Sequence, residues 1–349
     1  MRTAGQLSER KAAILRDLVH LYIRTGEPVG SEALTAHSKL GVSSATIRNE
    51  LATLEEMGYL TQPHTSAGRK PTELGYRYFV NMLPARSRLR DPERLAIVHF
   101  FDVALADVDE ILKGTTQLLS RLTRYASLAL APGLRESAIA RAELVRVGSG
   151  TLLLVVLEDG RVEKRLIEVP TEASAEDVER LSAVLLEALA GQTLTEARAE
   201  LSRRSGPAAR PDRSILANVA EALGSIDEAR QEEHVFMGGM ANIAAEETFQ
   251  RRETLRQMLE AIERESEILR LLREAATSPA VSVTIGSENP VTGIWEASVV
   301  AAPYEAGGRA IGTIGVVGPL RMDYAAAISA VRAVAERLSA AVAALGGPS

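Results

Sequence analysis

Apolar positions in the first eighty residues fall into helical periods that are broken at short intervals. Between 8 and 24, Ile14, Leu15, Leu18, Val19 and one of Tyr22 or Ile23 share a side, which predicts an amphipathic helix. Gly26, Glu27 and Pro28 stop it. A short second helix is expected over 31–38, with Ser31 as its cap. Leu40, Gly41 and Val42 then turn the chain, and Gly41 can take the positive φ that so tight a turn often needs. Ser43 or Ser44 caps a third helix, in which Ile47, Leu51 and Leu54 recur at i, i+4 and i+7. Beyond it, 58–61 reads as an apolar strand and 63–72 as a loop carrying Gly68, Arg69 and Lys70.

The far face of the third helix is unusual for a surface. Solvent-facing helices normally carry Lys and Glu, whereas this one carries Ala45, Asn49 and Ala52, flanked by Thr46 and Arg48, with Ser44 near the tip. Small residues allow close approach, and Arg and Asn can bind guanine and adenine edges bidentately. An Asn-Arg pair alone is more often a solvated surface. Here the preceding turn and the following loop complete a helix-turn-helix with a wing. The candidate DNA-binding residues are therefore Ser43, Ser44, Ala45, Thr46, Arg48 and Asn49 on the helix, and His64, Thr65, Arg69 and Lys70 on the wing. Arg69 and Lys70 suit phosphates or a minor groove.

Two stretches, SSATIRNELATLEEMGYL and HTSAGRKPTELGYRYFV, resemble the winged-helix domain of the bacterial heat-inducible transcription repressors, the HrcA family. VFMGGMANI at 235–243 and GGRAIGTIGVVGPLRMDYAAAI at 307–328 resemble the same family, in the same order and spacing. The match between about 91 and 230 is looser, in pattern more than in residues. The resemblance implies a dimeric repressor of heat-shock operons, chaperone operons in particular. It also implies a GAF-like domain carrying an inserted dimerising domain, and the GroE chaperonin as a partner that promotes the active fold.

Charge distribution fits a nucleic-acid partner at one end only. Net charge is −6, but residues 1–90 hold 13 Lys and Arg against 8 Asp and Glu. A mildly basic module on an acidic body attracts phosphate at one face and repels it elsewhere. There is no cysteine, which excludes disulfides and thiolate chemistry, and the five histidines lack ligand spacing. No apolar run approaches the ~20 residues of a membrane span. With no signal-like apolar start, a cytoplasmic protein without membrane contact is expected.

Further along, Thr72 to Val80 starts a helix expected to pack on the winged domain. Pro84 to Pro92 reads as a linker, in which Arg86, Arg88 and Arg90 either meet phosphate or stay solvated. A helix is expected over 109–124, an apolar run over 127–131, and strands over 143–147, 152–157 and 162–169 joined by Gly-containing hairpin turns. Helices then dominate, over 175–190, 195–203, 212–223, 246–258 and 261–274, with a loop at 205–211 and a short strand and turn at 235–239. Strands return over 281–285, 297–303 and 310–317, and an Ala-rich helix over 324–345 is expected to cover a sheet face.

The fold class expected is α+β and multidomain. It comprises a winged helix-turn-helix at 1–84, a GAF-like antiparallel sheet domain at 85–173 and 279–349, and a mainly helical inserted dimerisation domain at 174–278. The glycines at 307–315 lack the Gly-Lys-Ser/Thr ending of a P-loop and precede a strand, so a hairpin turn is the better reading. Arg321 and Asp323 either pair with each other or meet the winged domain. No carboxylate pair, Ser/His/Asp set or metal cluster stands out, so neither an enzyme, a cofactor nor a metal site is expected. The expected function is a dimeric repressor on an inverted-repeat, double-stranded DNA operator, released on heat stress. The alternative is a winged-helix sensor regulated by a small ligand in the GAF-like domain.

Overall fold

Helix α1 (Glu9–Thr25) starts where Ser8 accepts the Lys11 amide and ends at Gly26. It buries Ile14, Leu15, Leu18, Val19 and Leu21. The computed structural model describes residues 7–38, 40–64, 67–84, 89–102, 108–131, 138–148, 150–158, 162–170, 173–204, 211–231, 235–245, 252–276, 278, 280–291, 294–306 and 308–345. Helix α2 (Ser31–His37) is capped by the backbone of Gly30, not by Ser31. The Ser31 hydroxyl instead accepts a hydrogen bond from Ser44. Gly41 has φ +65°, as the turn requires. Helix α3 (Ser44–Glu56) is capped by Ser43, which resolves the choice between the two serines. The wing strands are short, β1 (Leu60–Thr61) and β2 (Lys70–Pro71), paired antiparallel. Helix α4 (Glu73–Met82), capped by Thr72, buries Tyr76 and Phe79.

The largest sheet lies between two helical layers. Helix α5 (Asp91–Asp102) was not expected, because Pro92 reads as a linker residue. A proline in the first turn is harmless, since its missing N–H would have no partner there. Helix α6 (Val108–Thr123) leads into β3 (Ala126–Leu130). Strand β7 (Val235–Gly238) flanks β3, followed by α10 (Met240–Ala245). Helices α11 (Arg252–Glu263) and α12 (Glu265–Ala276) precede β8 (Ser282–Ile285), β9 (Ala297–Ala306), β10 (Arg309–Pro319) and α13 (Tyr324–Leu345). The five strands run β7-β3-β10-β9-β8. Every neighbour pairs antiparallel.

Alternation along the strands separates two faces. Ala129, Val300, Tyr304, Ile314 and Val316 pack with α6 and α13. Leu128, Leu130, Val299 and Val317 pack with α11 and α12. With both faces covered, β3 is buried at every position and reads as an unbroken apolar run.

Residues 139–226 form a unit with its own core, and here the structure departs from the expectation. Strands β4 (Ile139–Val147), β5 (Gly150–Leu157) and β6 (Val162–Ile167) do not join the five-stranded sheet. They make a three-stranded sheet of their own. Its inner face packs on α7 (Ala175–Leu189) and α9 (Pro211–Gln231) through Leu153, Val155, Leu185, Ile215 and Leu223, and α8 (Leu194–Arg204) packs on α9. Packing therefore divides the chain before Ile139, not at 173/174. Helices α11 and α12, expected in the insertion, belong to the five-stranded layer. The same hairpin signals serve either sheet, because turn chemistry is local and sheet membership is not. The loop at 205–210 and residues 246–251 lie outside the described residues.

Candidate nucleic-acid interface

Side-chain contacts of Ser43, Ser44 and Glu50 fix α3 in its turn. Ser43 accepts the Thr46 amide at 3.2 Å, and Ser44 donates to Ser31 on α2 at 3.1 Å. Glu50 lies on the buried face, where Lys11 Nζ approaches at 2.9 Å and Arg10 Nε donates at 2.7 Å. The Lys11 hydrogen bond, opposed by desolvation and aided by Arg10, holds the Glu50 carboxyl below its ordinary value. Sequence pattern missed this residue. Its position three after Ile47 and four before Leu54 puts it on the apolar side, which is the signal that a charge there must be paired.

The opposite face stays open. Ala45, Arg48 and Asn49 are exposed, and Thr46 and Ser44 are partly so. The wing is held close to it. Arg69 exchanges backbone hydrogen bonds with Val29, each 2.9 Å. Its guanidinium binds Glu55 of α3 through Nε at 2.9 Å, which leaves the side chain only 17% exposed. Gln62 donates to the Ala67 carbonyl at 2.7 Å and closes the wing loop. Lys70 is half-buried in β2 and His64 is exposed at the tip. Thr65 lies outside the described residues. The structure thus gathers Ser43, Ser44, Ala45, Thr46, Arg48 and Asn49 on one helix end, and gives Arg69 an intrachain partner. Sequence reasoning missed that partner because Glu55 lies 14 residues upstream.

A family profile described as "Winged helix-turn-helix transcription repressor, HrcA DNA-binding" matches residues 6–82, and one described as "HrcA protein C terminal domain" matches residues 109–328. This chain belongs to the HrcA family. Proteins named heat-inducible transcription repressor HrcA resemble it along nearly their whole length. That of Thermobifida fusca is 44% identical, covering 94% of this chain and 95% of the relative. That of Pelotomaculum thermopropionicum is 38% identical, covering 96% of each. A crystal structure titled only as a hypothetical protein at 2.2 Å resolution superposes with a TM-score of 0.73 at 26% identity, over 97% of this chain and 100% of that one. As an HrcA member the chain is a heat-inducible transcription repressor with a DNA-binding winged helix, and not an enzyme. Among its described residues, no helix is long and apolar enough to cross a membrane.

Proposed function

We propose that the chain works in the cytoplasm as a homodimer on an inverted-repeat operator of heat-shock, chiefly chaperone, operons. The observation that carries the reading is the open end of α3, with small residues, Arg48 and Asn49 exposed beside a braced wing. In this reading Ser44, Ala45, Thr46, Arg48 and Asn49 face base edges, while Ser43, His64, Thr65 and Lys70 meet backbone. Arg69 sets the wing's pose through Glu55 and offers phosphate what remains of its guanidinium.

The dimer reading is supported by the outer face of the three-stranded sheet. Cross-strand pairing puts Val145, Leu152 and Leu166 in one row there, with Val156 opposite Val162. Leu166 is 75% exposed and Val147 59%. An apolar sheet face this open needs a cover. Glu143 and Lys164 flank Leu154 on the same face. Both signs of charge beside one apolar row suit a two-fold contact with a second copy. Leu166→Glu should leave a monomer in sedimentation, and an unchanged dimer would remove this face from the interface.

Heat would release DNA by loss of the functional dimer, and the family likeness supports the GroE chaperonin as the factor that restores it. The deciding experiment is fluorescence anisotropy on an inverted-repeat duplex selected by the protein from random DNA. Binding should require both half-sites, fall on modest heating and return with chaperonin. Release from a folded dimer by a small molecule would favour the sensor instead.

A further inference from the structure

The winged domain is docked on the sheet layer. Its core runs on into the sheet layer, with Tyr76 of α4 and Tyr324 of α13 both buried and their rings 5.9 Å apart. Around that contact lies a polar seam. Arg77 Nε donates to Glu288 Oε1 at 2.8 Å, and its Nη2 donates both to Glu288 and, at 2.6 Å, to the Val283 carbonyl. Glu73, one turn earlier, accepts from the Ser287 amide at 3.1 Å and from the Ser287 hydroxyl at 2.5 Å. A Cβ on Gly286 would lie 2.3 Å from the Glu73 carboxyl, and its φ of +56° also favours glycine. On the other side Arg321 Nη1 donates to the Ile23 carbonyl at 3.4 Å, in the space beside Gly26. These contacts use the back of the winged domain. Arg48 and Asn49 stay exposed while it is docked.

We propose that Arg77 and Glu73 are positioning residues for operator binding. They clamp the winged domain to the sheet layer, so the body dictates the angle and separation of the two recognition helices. This rests on the dimeric reading above. Two rigidly held half-site readers gain from linkage, typically about 10²–10⁴ over one alone, and lose it when their geometry is free. A clamp at the back therefore tunes the two-site complex without touching a base or phosphate.

Arg77→Glu and Glu288→Gln, each in the full chain, would be compared with wild type on a two-half-site duplex and on a single half-site. The variants should lose roughly 10-fold or more on the two-site duplex, bind the half-site as wild type does, and remain dimeric. Half-site binding also reports that the winged domain is folded. R77E combined with E288R should recover most of the loss. If wild type prefers two sites and the variants keep that preference, the clamp is overturned alone. Equal losses on both duplexes would make the seam a folding contact and also overturn it. If wild type shows no preference for two sites, the dimeric reading falls and the clamp with it.

Discussion

Asn49→Ala separates base reading from mere proximity to DNA. The Asn49 side chain is exposed on α3, and the Thr53 hydroxyl binds its backbone carbonyl, so the substitution removes no core packing. Alanine is also the better helix former, so the fold should be untouched. A bidentate contact to adenine is worth about 1–3 kcal/mol of discrimination at one half-site. A dimer carries the change twice, so the full operator should lose about 2–6 kcal/mol, roughly 30-fold to more than 10⁴-fold in Kd. Anisotropy titrations at fixed salt on full operator, half-site and scrambled duplex give the three numbers needed. The logarithmic loss on the operator should be about twice that on the half-site, and the scrambled duplex should bind as before. An equal loss on scrambled DNA would make Asn49 a backbone contact. A loss on the operator no larger than on the half-site would refute simultaneous reading by two copies.

Lys70→Ala should weaken operator and random DNA alike and reduce the salt slope by about one unit per half-site, so about two on the full operator; an unchanged slope removes Lys70 from the phosphate contacts. Glu50→Gln should raise amide exchange in α1 and α3 at neutral pH by the equivalent of about 1–2 kcal/mol, modest because Arg10 is more than half exposed. Since the Glu50 carboxyl is held below 4.5, its stabilising effect is complete above that value and is lost as pH falls through the lowered one. The difference between wild type and variant should therefore close in acid, and a pH-independent difference would refute the ion-pair account. On heating, calorimetry should show a lower transition from the 139–226 unit that moves with protein concentration, ahead of joint melting of the winged domain and five-stranded layer.

Periodicity made much of this molecule legible. Ile14, Leu18, Ile47 and Leu54 are buried as their spacing implies, and the break at Gly41 is a turn. Local signals also located β8, β9 and α13 to within a few residues. Sheet membership was not legible. Strand β10 lies between β3 and β9, and β7 pairs across more than a hundred residues, which no window of sequence encodes. Partners of charged residues were equally hidden. Arg69 on a loop gives no sign in the sequence of Glu55, the partner that braces it. Glu73 and Arg77 look like the solvated face of a helix, because Ser287 and Glu288 lie over 200 residues away. Arg321 was an open question between two partners, and it meets the winged domain at Ile23.

The arrangement of cores bears on how heat could act. One core runs from Ile14 and Leu51 through Tyr76 to Tyr324 and Leu338. The winged domain therefore has no apolar boundary at which to melt alone, and losing the sheet layer would strip its Tyr76 contact as well. The 139–226 unit is different. Its core from Ile139 to Ile226 is separate, and the open face proposed for the second copy belongs to it. Subunit contact then stabilises that unit by mass action, while the remainder gains nothing directly. Partial opening should begin in the unit whose core is separate from the rest of the fold. Such opening would part the two copies and abolish linked half-site binding, yet leave α3 capped by Ser43 and braced by Glu50. The recognition surface would survive the heat that releases it, and repression could resume as soon as the 139–226 unit refolds.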